Sequence, residues 1–384
     1  MSDTTATTAT TTVHGGGRQR VVVLGAGYAG LMATLRLAPH HDVTLVAPDP
    51  DFTERVRLHE LAAGRRASVG HPLARLLAGT GVRHLAARAT ALDPAARAVT
   101  TDGGRTLPYD RLVYALGSHT PAPAAAAAGS APADPARPGR VYTAETAAAL
   151  RERLRADRPG RLTVVGGGLT GVEMTAELAE AHPEWRVGLV TAGQVGPGLS
   201  ERGRTHVLAT LRGLAVRVEE GRHVASADEV DADAVVWAGP PAVHTGLAAA
   251  AGLALDAAGR IRVDPALRSV SHPEILAAGD AAAGLRMACA TALPMGAHAA
   301  ATVLAEACGG RPRPLRFRYV IQCLSLGRQD GLVQFVHADD SPRERVLTGR
   351  AAAWTKERIV RSAYGVLRLA ASRPGLVRYV PGVA

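Results

Sequence analysis

Lysine is almost missing from this chain: Lys356 is the single one among 44 Lys and Arg residues, so arginine carries the formal net charge of +10. The arginines are scattered, and aromatic residues amount to only 3%. A nucleic-acid surface would need a basic stripe interleaved with aromatics, so no nucleic-acid partner is expected. The excess of arginine, with abundant Ala, Gly and Pro, reads as a base-composition bias. Cysteine is scarce too. Cys289, Cys308 and Cys323 form no CxxC pair and no metal-ligand set with nearby histidines, so no metal site is expected. The same absence speaks against a redox dithiol and against sulfide oxidation, which needs paired thiols. No apolar run is long enough to cross a bilayer. The Thr/Ala/Gly-rich start lacks a charged region followed by an apolar one, so it reads as a disordered tail over residues 1–18 rather than a signal peptide. These absences together predict a reduced, cytoplasmic chain.

Glycine, in contrast, is abundant, with 42 residues, and two groups of it stand out. Gly25-Ala26-Gly27-Tyr28-Ala29-Gly30 and Gly166-Gly167-Gly168-Leu169-Thr170-Gly171 each follow an apolar run, Val21 to Leu24 and Leu162 to Val165. Helical patterns come next, and then further strand-like runs, Val43 to Val46 and Val187 to Val190. One GxGxxG is a weak signal, but two in the same strand–loop–helix context are a strong one. The first glycine makes the turn, the second lets backbone approach a pyrophosphate, and the third lets helix pack on strand. The phosphates then rest on a helix N-terminus. Two Rossmann-like dinucleotide-binding domains follow, in an α/β fold with a C-terminal α+β segment.

Four motifs occur in order: the first glycine loop, Leu112-Val113-Tyr114-Ala115-Leu116-Gly117, the second loop reading Gly-Gly-Gly-Leu-Thr-Gly-Val-Glu, and Leu276-Ala277-Ala278-Gly279-Asp280. In this the chain resembles the two-dinucleotide flavoproteins of the pyridine nucleotide-disulfide oxidoreductase superfamily, over about Val21 to Ala300. It is most similar to the type II NADH:quinone oxidoreductases, which lack a redox disulfide. The resemblance implies an FAD domain interrupted by an NAD(P)H domain. The expected divisions are 19–120 and 242–312 for FAD, 139–241 for NAD(P)H, and 313–384 for a C-terminal interface or membrane-surface segment.

The resemblance also implies roles for individual residues. Gly25, Gly27, Tyr28, Ala29, Gly30 and Gly117 would bind FAD, with Gly279 and Asp280 at the ribityl chain. Pro294 would begin a helix pointing at the flavin pyrimidine. Gly166, Gly168, Thr170 and Gly171 would hold NADH or NADPH, and Glu173 would lie between nicotinamide and flavin, unless it is only a first-turn acid favoured by the helix dipole. Arg57, His59, His298, Gln322 and Cys323 are candidates for the acceptor pocket, where a histidine can shuttle protons.

Three departures from the pattern leave alternatives open. Ala47 and Thr191 stand where an acid would bind each adenosine ribose, with Asp49 a substitute in the first domain, so NADH against NADPH is undecided. The paired glutamines that quinone-reducing members carry after Pro294 are replaced by Met295-Gly296-Ala297-His298-Ala299-Ala300. The expected activity is therefore FAD-dependent NAD(P)H oxidation with a quinone-like or other small organic acceptor. A specialised-metabolism reductase and a slow redox sensor like apoptosis-inducing factor are the rivals. Finally, Ala353 to Ala371 places Trp354, Val360, Ala363, Tyr364, Leu367 and Ala370 at helical spacing, opposite Lys356, Arg361 and Arg368. Such a helix docks on the domain or on a second subunit of a homodimer, or else lies on the inner face of the cell membrane.

Overall fold

The computed structural model describes residues 17–121 and 139–376. The expected tail lies almost wholly outside the described residues, as does most of the Ala/Pro-rich junction.

Val21 to Leu24 are buried on both faces, as a central parallel strand requires. The strand Arg20–Leu24 pairs in parallel with Asp42–Val46 on one side and Arg111–Tyr114 on the other, and Arg83–Leu85 and Ile275–Ala277 complete a five-stranded sheet. A second five-stranded parallel sheet repeats the plan. Arg161–Val165 is its centre, flanked by Arg186–Val190 and Ala234–Trp237, with Arg217–Glu219 and Val141–Tyr142 at the edges. In both sheets the glycine loop leaves the central strand at a point where strand order reverses, the crevice in which open α/β sheets bind ligands.

The chain leaves the first sheet and returns to it through a two-stranded antiparallel ribbon, Ser118–His119 against Ala242–Val243. It then supplies the edge strand Ile275–Ala277 to the first sheet, so that sheet is built from two separated stretches of sequence.

The 19-residue helix Cys289–Ala307 packs along the helix Tyr28–Leu37, closely enough that a Cβ on Gly296 would strike the backbone of Ala29. Its start differs from what the resemblance implies: the helix does not open at Pro294 but begins five residues earlier and holds Pro294 inside, at the loss of one backbone bond.

After it comes a three-stranded antiparallel sheet, Ile321–Ser325, Gly331–Val336 and Pro342–Thr348. The 24-residue helix Gly349–Ser372 follows and docks through Ala352, Val360, Ala363, Leu367 and Ala370. Tyr364 stacks on His71 with ring centroids 3.7 Å apart. Two features of this helix differ from the sequence expectation. Trp354, assigned to the docked face, is 66% exposed, and Lys356, assigned to the solvent side, is turned inward.

Candidate functional site

The two glycine loops are built alike. Gly25 and Gly166 adopt φ of 99° and 124°, a region that L side chains avoid. A Cβ on Gly25 would strike Ala115 O, and one on Gly166 would strike Ala238 O, so both turns press against the neighbouring strand's end. A Cβ on Gly30 would strike Gly25 O and lie 3.4 Å from Ala115 Cβ; on Gly171 it would strike Gly166 O and lie 3.4 Å from Ala238 Cβ. At the second glycine of each loop, Gly27 and Gly168, an added Cβ meets nothing within 4 Å. Open space there, at the N-caps of the helices Tyr28–Leu37 and Leu169–Ala181, is the cradle a pyrophosphate needs, with free N–H groups facing it. The residues present thus fit two dinucleotides. Neither N-cap is filled by a side-chain hydrogen bond. Tyr28 and Ala29 are buried in the first helical turn, and Thr170 is exposed in the second.

Around the first loop, Gly279 (φ 73°) brings the Asp280 turn against Ala29, which a Cβ would approach to 3.1 Å. Asp280 accepts a hydrogen bond of 2.6 Å from Ser118 Oγ, one residue beyond Gly117. At the ribose positions, Ala47 is buried, its carbonyl 3.0 Å from His84 Nε2, and Asp49 is exposed in the following loop. Thr191 packs directly under the second loop, its Cβ 2.8 Å from where a Cβ on Gly167 would sit.

Glu173 sits in the first turn of the second-loop helix, and its Oε1 accepts from Lys356 Nζ at 2.9 Å and from the Ser325 N–H at 2.9 Å. Lys356 also donates to Cys323 O at 3.1 Å. The two side chains are only 14% and 13% exposed. Burial works to raise the Glu173 pKa, but Lys356, His59 and the Ser325 N–H prevail and hold it below the usual glutamate value. Burial likewise works against the Lys356 charge, and Glu173 more than compensates, so Lys356 keeps its proton. Burial pushes both the Cys289 and Cys323 thiols up, and both also feel the charges of Lys356 and Glu173. Cys289, the first residue of its helix, packs against the same apolar cluster that holds Tyr28 of the first loop. The cluster therefore joins the start of the second-loop helix to the neighbourhood of the first loop. It also brings together two cysteines that sequence spacing left unrelated, 34 positions apart.

The remaining candidates fall in different places. His59 belongs to this cluster: it is buried, its Nε2 has no hydrogen-bond partner, and burial lowers its pKa. Arg57 does not face a pocket. It is buried with Nε 2.8 Å from Glu54, Nη1 2.8 Å from Glu60, and Nη1 and Nη2 3.0 and 3.1 Å from Glu357. Those three carboxylates use up its guanidinium, which makes it a clasp between the segment from Glu54 to Glu60 and the C-terminal helix. His298 lies more than two turns into its helix, among Arg36, Asp264 and the backbone of Arg313. Gln322 donates to Asp340 at 3.0 Å within the C-terminal sheet. The residue that sequence reading missed is Lys356.

Among the described residues, no group of three or more His, Cys, Asp or Glu side chains is placed to hold a metal, and no helix is long and apolar enough to cross a membrane.

The sequence profile of the pyridine nucleotide-disulphide oxidoreductases matches residues 19–302. The chain is 32% identical over 387 aligned positions to an NADH dehydrogenase-like protein of Mycobacterium tuberculosis, covering 88% of this chain and 92% of that one. It is 28% identical to a type II NADH:quinone oxidoreductase of the same organism, covering 77% and 74%. Among solved structures, the sulfide:quinone oxidoreductase of Aquifex aeolicus superposes with a TM-score of 0.75 at 18% identity, over 92% of each chain.

Proposed function

The chain belongs to the pyridine nucleotide-disulphide oxidoreductase family, an NAD(P)H-dependent flavin oxidoreductase, and from that premise we propose that its flavin is FAD and its acceptor a quinone. The observation that carries the proposal is the largely buried Glu173–Lys356 pair, contributed by segments 183 positions apart and meeting against Cys323 and Ser325 at the start of the second-loop helix. Relatives named as quinone oxidoreductases support the acceptor class.

The residues divide the work. The Gly25–Gly30 loop and Asp280 hold the FAD, whose ribityl hydroxyls suit a carboxylate acceptor. The Gly166–Gly171 loop holds the nicotinamide nucleotide. A bound flavin supplies two-electron chemistry, taking hydride from NAD(P)H and returning electrons to an acceptor. Glu173 orients the nicotinamide end, because its own geometry is fixed by Lys356 and Ser325. Lys356 keeps a proton at Nζ, and its charge favours an acceptor oxygen that gains negative charge. Thr191 offers neither a carboxylate nor a cation at the adenosine ribose, so its side chain does not select between NADH and NADPH.

The outer face of the C-terminal helix carries exposed Trp354, Ile359 and Leu369 with Arg350, Arg358, Arg361 and Arg368. That combination suits an anionic bilayer surface, where a lipid-soluble quinone is found.

Anaerobic titration of the purified flavoprotein with NADH or NADPH, followed by quinone, tests the proposal. Stoichiometric bleaching and rapid recovery of the flavin absorbance are expected. A flavin that neither nucleotide bleaches would overturn it. Bleaching without recovery on quinone would remove the acceptor assignment alone.

A further inference from the structure

NADH and NADPH differ by one group, a phosphate on the 2′-oxygen of the adenosine ribose. An open α/β domain tells them apart beside the end of the strand that follows its glycine loop, with a carboxylate for the free hydroxyl or an arginine for the phosphate. In the second domain that strand is Arg186–Val190, and the residue at its end, Thr191, is buried beneath Gly167 and brings no charge. The neighbouring strand brings the charge instead.

Arg217–Glu219 pairs in parallel with Arg186–Val190, with Glu219 opposite Val190, so both strands end at the same edge of the sheet. Backbone hydrogen bonds lace the two ends together. Thr191 N donates to Glu219 O at 2.9 Å, Arg222 N to Thr191 O at 3.0 Å and Gly221 N to Gly193 O at 3.3 Å. The same stretch is tied to the glycine loop by Gly196 N, 2.7 Å from Gly167 O. Arg222 therefore stands against Thr191, at the ribose position, although it is far from it in sequence. Three carboxylates lie nearby, and each has a partner of its own. Glu220 accepts from Val195 N at 2.5 Å and from Arg204 Nη2 at 2.8 and 2.7 Å. Glu229 caps the backbone N–H groups of Ala225 and Ser226. Glu219 is held twice, by Arg217 Nε at 2.9 Å and by Arg222 Nη1 at 2.8 Å. Arg222 Nη2 donates to Glu229 O at 2.6 Å, and its side chain is 44% exposed. A guanidinium at the surface presents its donors in a planar fork that matches the oxygens of a phosphate.

We infer that Arg222 binds the 2′-phosphate of NADPH and makes the second domain prefer NADPH to NADH. The inference rests on the reading above in which the Gly166–Gly171 loop holds the nicotinamide nucleotide. The phosphate takes the place of the Glu219 carboxylate on Arg222, and Glu219 stays paired because Arg217 holds its other oxygen. Glu219 is thus a competitor for the same guanidinium and not an acceptor for the ribose hydroxyls.

The test is calorimetry on the FAD-loaded protein with adenosine 2′,5′-bisphosphate and with 5′-AMP, which lacks only the 2′-phosphate. The wild type binds the bisphosphate about tenfold more tightly or better. Arg222→Ala brings the two affinities together through loss of bisphosphate binding alone. Glu219→Gln removes the competitor, so it tightens the bisphosphate and leaves 5′-AMP as it was, which covers the case where Arg222→Ala does not fold. In turnover the ratio of kcat/KM for NADPH to that for NADH falls in Arg222→Ala and rises in Glu219→Gln.

Equal affinities in the wild type, or a bisphosphate advantage that survives in Arg222→Ala, overturn the assignment. A Glu219→Gln protein that loses affinity for 5′-AMP makes Glu219 the ribose acceptor and overturns it as well. Wild-type protein that binds neither adenosine compound overturns the nucleotide reading of the second loop instead, and the role of Arg222 with it.

Discussion

Lys356→Met removes the cation from a buried ion pair and leaves the Glu173 carboxylate with only the Ser325 N–H and His59 nearby. Breaking such a pair by deleting one partner costs about 3–5 kcal/mol, because a charge is left buried without compensation. The cost depends on pH, and its sign follows from the two glutamate states. In the wild-type fold Glu173 titrates below its usual value of 4.5. Its stabilising contribution is therefore complete above that value and is lost only as pH falls through the lower folded one. In Lys356→Met, burial is the dominant influence and the folded carboxyl titrates above 4.5, so the variant's stability is lost as pH rises through that raised value. The difference between the two proteins grows by about 1.4 kcal/mol per pH unit between the two folded values. Urea unfolding of both proteins from pH 5 to pH 8 should show a gap of about 4 kcal/mol at pH 8 that narrows toward pH 5, with about 1 kcal/mol of it being lost side-chain packing that does not depend on pH. Adding Glu173→Gln to Lys356→Met should recover about 2 kcal/mol or more at pH 8. A gap independent of pH, or a double variant as unstable as the single one, would refute the assignment of Lys356 as the partner that keeps Glu173 ionised.

Other consequences are separable by experiment. Gly27→Val places its side chain in open space, so the chain should fold with an unaltered melting temperature in the ligand-free state and yet lose bound flavin on purification. Gly168→Val should keep its flavin while KM for NAD(P)H rises at least about tenfold, about 1.4 kcal/mol of lost binding. Thr191→Asp should favour NADH over NADPH by about tenfold in kcat/KM, since a carboxylate accepts from ribose hydroxyls and repels the 2′-phosphate. Because Lys356 is the single lysine, amine-reactive labelling followed by mass spectrometry should leave it unmodified in native protein and modify it after denaturation. Flotation with anionic liposomes should carry the chain upward, and Trp354→Ala with Arg358→Glu should leave it behind.

What could be read from sequence was what depends on local backbone. Gly25, Gly30, Gly166 and Gly171 announce themselves because no other residue fits against Ala115, Gly25, Ala238 and Gly166, and the loop lies within one stretch of chain. The turn at Gly279 and Asp280 is legible for a similar reason, since it follows directly on the apolar strand Ile275–Ala277. Arg57, His298 and Gln322 are less legible: Glu54 and Glu60 flank Arg57 in sequence, but its third partner Glu357 is 300 positions away, and the neighbours of His298 and Gln322, Arg313 and Asp340, lie beyond the end of each residue's own helix or strand. Lys356 is the instructive case. The buried positions of its helix, Ala352, Val360, Ala363, Leu367 and Ala370, advance by three, four and eight residues. Position 356 falls midway in the gap of eight, four from Ala352 and four from Val360, and so belongs on the buried face by spacing alone. Its charge alone points to the solvent side, and the ion pair with Glu173 is what lets the inward position hold it. A lysine retained where arginine serves everywhere else was the second signal. Arginine's wider, planar guanidinium does not fill the site of a compact ammonium bridging one carboxylate oxygen and one carbonyl, which is the geometry found at Glu173 and Cys323.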